Sequence, residues 1–171
     1  SASFFAAQMG NVEVLQCLVD GGSLLNEVDN NGTTLIIVAS MCGQGCVLEY
    51  LLTIWTIEKC KAMADKHDKN GCFALWWACL HNHIECVKLL VEKFGSDIAM
   101  VTSIGLTPLM AASISIQGYA AKDRDISENY KHSITQELTQ ELKDQPQELI
   151  AYLLSKGANP NAVAPHLGYT A

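Results

Sequence analysis

The sequence predicts an all-α fold, a solenoid of stacked helix-turn-helix units, and three observations carry that expectation. Turn glycines stand at Gly32, Gly71, Gly105 and Gly168, spaced 39, 34 and 63 residues apart, which is one period of about 33 residues plus insertions. The stretch Gly105-Leu-Thr-Pro-Leu-Met-Ala-Ala-Ser113 joins a turn glycine, a Thr-Pro pair and a face of small residues, as a turn feeding straight into a packed helix requires. Apolar residues behind each turn recur at i, i+3, i+4 and i+7, the period of a helix with one buried face.

In chain order, the opening Phe5-Ala-Ala-Gln-Met-Gly-Asn reads as the end of a helix and a Gly-Asn turn, with a second helix starting near Val12. Val14, Leu15, Leu18 and Val19 share one face of it, and Gly21-Gly22 closes it. The second unit runs from the turn Asp29-Asn-Asn-Gly32 through Thr34 to Ser40, and its second helix starts near Cys46. Leu48, Leu51, Leu52 and Trp55 keep the helical spacing, so the six extra residues of this unit are expected to lengthen that helix. The third unit, from Asp68 through Leu75-Trp-Trp-Ala-Cys79 and Asn82 to Val91, is the most regular. In the fourth, Glu148-Leu-Ile-Ala-Tyr-Leu-Leu154 arrives late. The polar insertion before it, about 114–143, carries Ile134, Leu138 and Leu142 and reads as an added amphipathic helix after Ser133, with Pro146 opening the helix that resumes the repeat. Leu167 to Ala171 begins a fifth unit. One domain over 1–171 is expected, with units of about 1–29, 30–67, 68–102, 103–165 and a partial 166–171. A start and a stop in mid-unit suit a module of a longer protein.

Thr107-Pro108-Leu109, Ala78-Cys79, Asn82-His83, the Glu85 to Val91 helix and Gly157-Ala-Asn-Pro-Asn-Ala162 together resemble the ankyrin repeat, over nearly the whole chain except about 114–143. The departures are Thr34-Leu35 and Phe73-Ala74 where the family has Thr-Pro, and Ile37, Trp76 and Met110 where it has His. The resemblance implies short β-hairpin loops projecting from the helix stack. It also implies a concave face of hairpin tips and first-helix surfaces that binds another protein.

On that mapping the partner-binding positions are Asn31, Thr33, Met41, Lys69, Asn70, Trp76, Leu80, His81, Ile104, Leu106 and Met110, with Gln8, Met9, Asn30, Cys42, Cys72, Ser103 and Ile114 beside them. Grouped apolar and aromatic residues mark interaction surfaces, which puts Trp76 at the centre, ringed by Met41, Leu80 and Leu106. The competing account is that Trp76 and Trp77 fill space between units. The resemblance further points to Asn26 and Asn161, in the loop after a second helix, as positions for an asparaginyl hydroxylase; the plainer role is turn stabilisation.

Chemistry beyond binding finds little support. A net charge of −7, with eleven basic residues among eighteen acidic ones, argues against a nucleic-acid partner and suits a basic protein segment, for which Glu128, Glu137, Glu141 and Asp144 of the insertion are candidates. Seven cysteines, an odd number set mostly in apolar runs, fit reduced thiols in an intracellular protein, cytoplasmic or nuclear, or in host cytosol if secreted as an effector. Cys42 with Cys46, and Cys79 with His81 and His83, lack the second ligand pair of a zinc site. No phosphate-binding loop ends in Gly-Lys-Ser/Thr. The expectation is a monomeric, non-enzymatic scaffold without metal or cofactor and without direct membrane binding. The alternative is a substrate-recruiting or targeting module of a larger enzyme or secreted bacterial effector.

Overall fold

The computed structural model describes residues 1–115 and 148–164. These form helices α1 (Ala2–Met9), α2 (Val12–Asp20), α3 (Leu35–Met41), α4 (Gly45–Ile54), α5 (Ile57–Ala64), α6 (Ala74–Leu80), α7 (Ile84–Glu92), α8 (Pro108–Ser115) and α9 (Glu148–Ser155). Among the described residues extended pairing is confined to an isolated antiparallel bridge between Val28 and Thr34. The first helices α1, α3, α6 and α8 pack in succession, the second helices α2, α4 and α7 stack behind them, and α9 pairs with α8. This is the expected all-α stack of helix pairs.

In the first three units the two helices are joined by a turn of two or three residues. Gly10, Gly43 and Asn82 take left-handed backbone angles there. The next N–H then reaches back over the helix end: Asn11 to Ala6 O at 2.8 Å, Gln44 to Ala39 O at 2.8 Å, His83 to Ala78 O at 2.9 Å. These bonds satisfy carbonyls that the helix end would leave open. The same turns tie one unit to the one before it. The Gln44 side-chain amide donates to Gln8 O at 3.0 Å, and His83 Nε2, 39 residues on, to Met41 O at 3.1 Å. Since a carbonyl only accepts, His83 carries its proton on Nε2. The His83 ring lies so close to Gly43 that a Cβ there would sit 2.7 Å from Nδ1.

Two of the first helices are started by a threonine. Thr34 Oγ1 accepts from the Ile37 N–H and Thr107 Oγ1 from the Met110 N–H, both at 3.2 Å, as N-caps do. In the third unit Phe73 stands at that place, provides no side-chain cap and is buried instead, its ring meeting His67 edge-on at 5.3 Å.

The extension of the second unit differs from the expected long helix. Trp55 takes extended angles and ends α4, and Thr56 starts the separate helix α5 by accepting from the Lys59 N–H at 3.3 Å. The break lets Cys60 and Ala64 be buried while α5 folds back against α3 and α4. Lys59 then lies over the Trp55 ring at 4.4 Å, and Lys61 Nζ donates to Gly95 O at 2.6 Å. A straight continuation would have carried these apolar residues into solvent.

The repeat resumes at Glu148, as expected. Leu149, Ile150 and Leu153 of α9 are buried, and polar contacts hold α9 on α7: Lys156 to Glu92 at 3.0 Å, Tyr152 Oη to Glu92 at 2.9 Å, and Lys88 to Glu148 at 3.4 Å. The expected helix after Ser133, the Pro146 start, the acidic residues of the insertion and the fifth unit lie outside the described residues.

Candidate interaction surface

The surface is built from three turns that share one backbone design. At the first, Asp29 Oδ1 accepts from the N–H groups of Asn31 and Thr33, both at 2.8 Å. At the second, Asp68 Oδ1 accepts from those of Asn70 and Cys72, both at 2.9 Å. At the third, Thr102 Oγ1 accepts from the Leu106 N–H at 3.0 Å. Short polar side chains that bond their own backbone a few residues on are the usual builders of such turns.

Each turn then joins the next through the main chain. The Lys69 N–H donates to Asn31 O at 2.8 Å and the Ser103 N–H to Gly71 O at 3.1 Å, with Ser103 Oγ adding a bond to Asn70 O at 3.1 Å. Gly71, at φ 73, is required on two counts. Its angle is one that side-chain-bearing residues rarely adopt, and a Cβ would come within 2.9 Å of the Ser103 backbone nitrogen. The result is a row of tips whose spacing is fixed by backbone bonds and the Ser103 hydroxyl, with Asn31, Lys69, Asn70 and Ile104 exposed along it.

The expected binding positions divide. Asn31, Lys69, Asn70 and Ile104 are exposed at the tips, and Thr33, Met41, His81 and Met110 are half-buried. Trp76, Leu80 and Leu106 are corrected: all three belong to the core, Trp76 with only 1% of its surface exposed. Cys72 is buried with them. The reason is the position of α6 between α3 and α8, whose small residues Ala39, Ser40, Ala111 and Ala112 are themselves buried and leave room for two indoles. Every residue of α6 is buried. Trp76 and Trp77 meet edge to face at 5.0 Å, and Trp77 Nε1 donates to Asp68 Oδ2 at 3.0 Å. That bond, unforeseen in the sequence, links the turn to the helix it introduces. Of the two roles open to the indoles, filling space between units is the one observed.

His81 lies at the edge of this aromatic group. Its ring stacks on Trp77 at 5.9 Å and 10° and faces His83 at 5.9 Å. Burial, and then the neighbouring His83, push its pKa below the ordinary value of 6.5, which favours the neutral ring.

The described thiols are all free, with Cys17 and Cys46 exposed and Cys60, Cys72, Cys79 and Cys86 buried. Burial pushes Cys72 and Cys86 up to about 12 and raises Cys79 as well, so these groups are protonated, poor nucleophiles. Among the described residues no group of three or more His, Cys, Asp and Glu side chains is placed to hold a metal ion. No described helix is long and apolar enough to cross a membrane.

Asn26 and Asn161 are both exposed. In the loop after α9 the side-chain bond that shapes the turn is made by Asn159, whose Oδ1 accepts from the Asn161 N–H at 2.9 Å.

Residues 54–122 match the family model for ankyrin repeats (3 copies). Among curated proteins the chain is similar to ankyrin repeat domain-containing protein 63 of Homo sapiens, 27% identical over 105 residues, covering 61% of this chain and 27% of the relative. It is also similar to its Mus musculus counterpart, 27% identical over 99 residues, covering 58% and 25% respectively. The chain therefore spans about a quarter of the length of the curated relatives it matches. Repeats of this kind are generally protein-protein interaction modules and generally non-catalytic.

Proposed function

We propose, on the premise that this is an ankyrin-repeat chain, that it is a non-enzymatic scaffold which docks a protein or peptide on the side formed by its turn tips and first helices. The observation that supports this reading is the ladder of tips. Main-chain bonds fix the spacing of Asn31, Lys69, Asn70 and Ile104 while leaving their side chains free of packing duty, and such free positions on a rigid frame suit recognition. Half-buried Met110 stands in the first turn of α8, next to its tip, while half-buried Met41 and His81 mark the far ends of α3 and α6. The unit boundaries given above, one domain over 1–171, complete the proposal.

The partner is a protein, not nucleic acid or a membrane surface, and the scaffold acts as a monomer inside the cell. A net charge of −7 favours basic residues in the partner where it meets the acidic loops and second helices. The alternative role, a recruiting or targeting arm of a larger enzyme or effector, is decided by the full-length reading frame. Asn26 and Asn161, exposed in loops, are proposed hydroxylation positions; a peptide map after treatment with an asparaginyl hydroxylase that shows no added oxygen removes them.

The test of the binding face is parallel affinity purification with the wild type and an Asn31→Ala, Lys69→Glu, Asn70→Ala triple variant. The expected result is loss of the partner at unchanged thermal stability. A partner retained by the triple variant overturns the tip assignment.

A further inference from the structure

Asn-Gly steps occur at two places in the chain, Asn31-Gly32 and Asn70-Gly71, and the fold sets both at turn tips with the asparagine exposed. Such a step carries its own chemistry. Glycine has no side chain to hinder its backbone nitrogen, which can reach the side-chain amide of the preceding asparagine and close a succinimide ring. Both groups belong to one chain, so they react without having to meet by diffusion.

We propose that Asn31 is a site of spontaneous deamidation in the folded chain, and that Asn70, the same step one unit on, is held back by the third turn. The Gly32 nitrogen gives its proton to solvent and bonds to Asn31 Cγ. The bond from Cγ to the amide nitrogen then breaks, and ammonia leaves with a proton taken from solvent. Water opens the resulting ring. Cleavage between Cγ and the Gly32 nitrogen gives aspartate, whereas cleavage between that nitrogen and the original carbonyl carbon gives isoaspartate, with the main chain routed through Cγ. One water is consumed for each ammonia released, and nothing is oxidised or reduced.

In both tips the peptide between Asn and Gly is pinned at its two polar groups. The Gly32 N–H donates to Asp29 O at 3.0 Å and the Gly71 N–H to Asp68 O at 2.9 Å, so the attacking nitrogen is engaged until the turn opens. Asn31 O accepts from the Lys69 N–H at 2.8 Å, and Asn70 O from Ser103 Oγ at 3.1 Å. Beyond this the tips differ. The second turn has a ladder neighbour on each side, giving the Lys69 N–H to the first turn and taking the Ser103 N–H on Gly71 O. Among the described residues the first turn has its ladder bond to the second alone. Asp68 is buried and receives the Trp77 indole N–H at 3.0 Å, while Asp29 is exposed. Opening the second tip therefore breaks more bonds, and a reaction that proceeds from a locally opened state slows with the cost of opening.

Aspartate at position 31 adds a carboxylate to an exposed tip. Isoaspartate also turns the carbonyl that holds Lys69 into a free carboxylate. Asn31 is one of the docking positions proposed above, so the docking surface changes as the molecule ages; this consequence rests on that reading, and the chemistry does not.

The test is a peptide map by mass spectrometry of chain 1–171 kept at mildly alkaline pH and sampled over weeks. A guanidinium-unfolded sample and a Ser103→Ala variant run alongside, with circular dichroism as the folding control. The unfolded chain should lose ammonia at both steps at similar rates. The folded chain should be slower at both, with Asn31 about tenfold ahead of Asn70, the difference that one or two further hydrogen bonds make. Ser103→Ala, at an exposed position, should speed Asn70 about threefold or more and leave Asn31 unchanged. Equal rates at the two steps in the folded chain overturn the proposal, as does a folded Asn31 that shows no conversion over the whole period. An Asn70 rate untouched by Ser103→Ala overturns the role of the third turn. For the docking surface, Asn31→Asp joins the purification experiment, where a changed yield of partner is expected. A yield unchanged by Asn31→Asp but lost in the tip triple variant overturns the consequence alone, and a yield unchanged in both overturns the tip reading while the deamidation stands.

Discussion

The second and third units turn the chain with the same backbone but anchor the helix after the turn in different ways. Asp29 and Asp68 occupy equivalent places and each accepts two N–H bonds. Asp29 is exposed and Asp68 buried, because only Asp68 also receives an indole N–H, from Trp77. Thr34 caps its helix with a hydroxyl, while Phe73 gives up the cap and is buried. The difference teaches that the turn is set by one short carboxylate and a glycine, whereas the start of the helix can be held either by a hydrogen bond or by apolar contact. The two solutions differ by little in free energy: a cap contributes about 1 kcal/mol and a buried aromatic ring about 2 kcal/mol or more.

That contrast can be broken at its aromatic end first. Trp76→Ala should cost about 3–5 kcal/mol, measured by urea unfolding, since it empties the space between α3 and α8; a stable variant with impaired binding would return Trp76 to the surface. Asp68→Ala should cost about 2–3 kcal/mol, because it strands a buried indole donor as well as two backbone N–H groups, against about 1 kcal/mol for Asp29→Ala. Equal losses would mean that the Trp77 bond contributes nothing. Thr34→Ala should cost about 1 kcal/mol. Phe73→Thr, which restores the hydroxyl, should still be a net loss, and a gain would show that the cap outweighs the ring.

The smallest effect is the pH dependence from His81. Its folded pKa is lowered by burial and by His83, so the unfolded chain binds the proton more readily, and stability rises with pH. Stability should therefore be complete above the unfolded value near 6.5 and decline as pH falls below it. Thermal melts at successive pH values should show a shallower slope for His81→Asn; an unchanged slope would place the titration elsewhere.

Much of this arrangement was legible in the residues. The turn glycines set the register, Asn11 after Gly10 marked the start of α2, and the apolar run from Glu148 located α9. The α4–α5 break is hidden in the sequence even though Thr56 is a good capping residue, because Leu48, Leu51, Leu52 and Trp55 carry the helical period up to it. The place of Trp76 is hidden for a different reason. Its burial is decided by the small residues of α3 and α8, some 35 residues to either side, and no local pattern contains that information. The Asp68–Trp77 bond had a visible signal, a carboxylate nine residues before an indole. It becomes meaningful only once the turn and the helix are folded against each other.

The pairing of α8 with α9 has a consequence for how this chain tolerates change. The described part of α8 ends at Ser115 and α9 begins at Glu148, in a helix that Glu92, Lys88 and its own buried residues Leu149, Ile150 and Leu153 seat in register. Because the entropy of joining two fixed ends grows only slowly with contour length, by about 0.6 kcal/mol per doubling, the link between these two helices should accept added length. Foreign sequence placed there would be carried by the repeats at little thermodynamic cost.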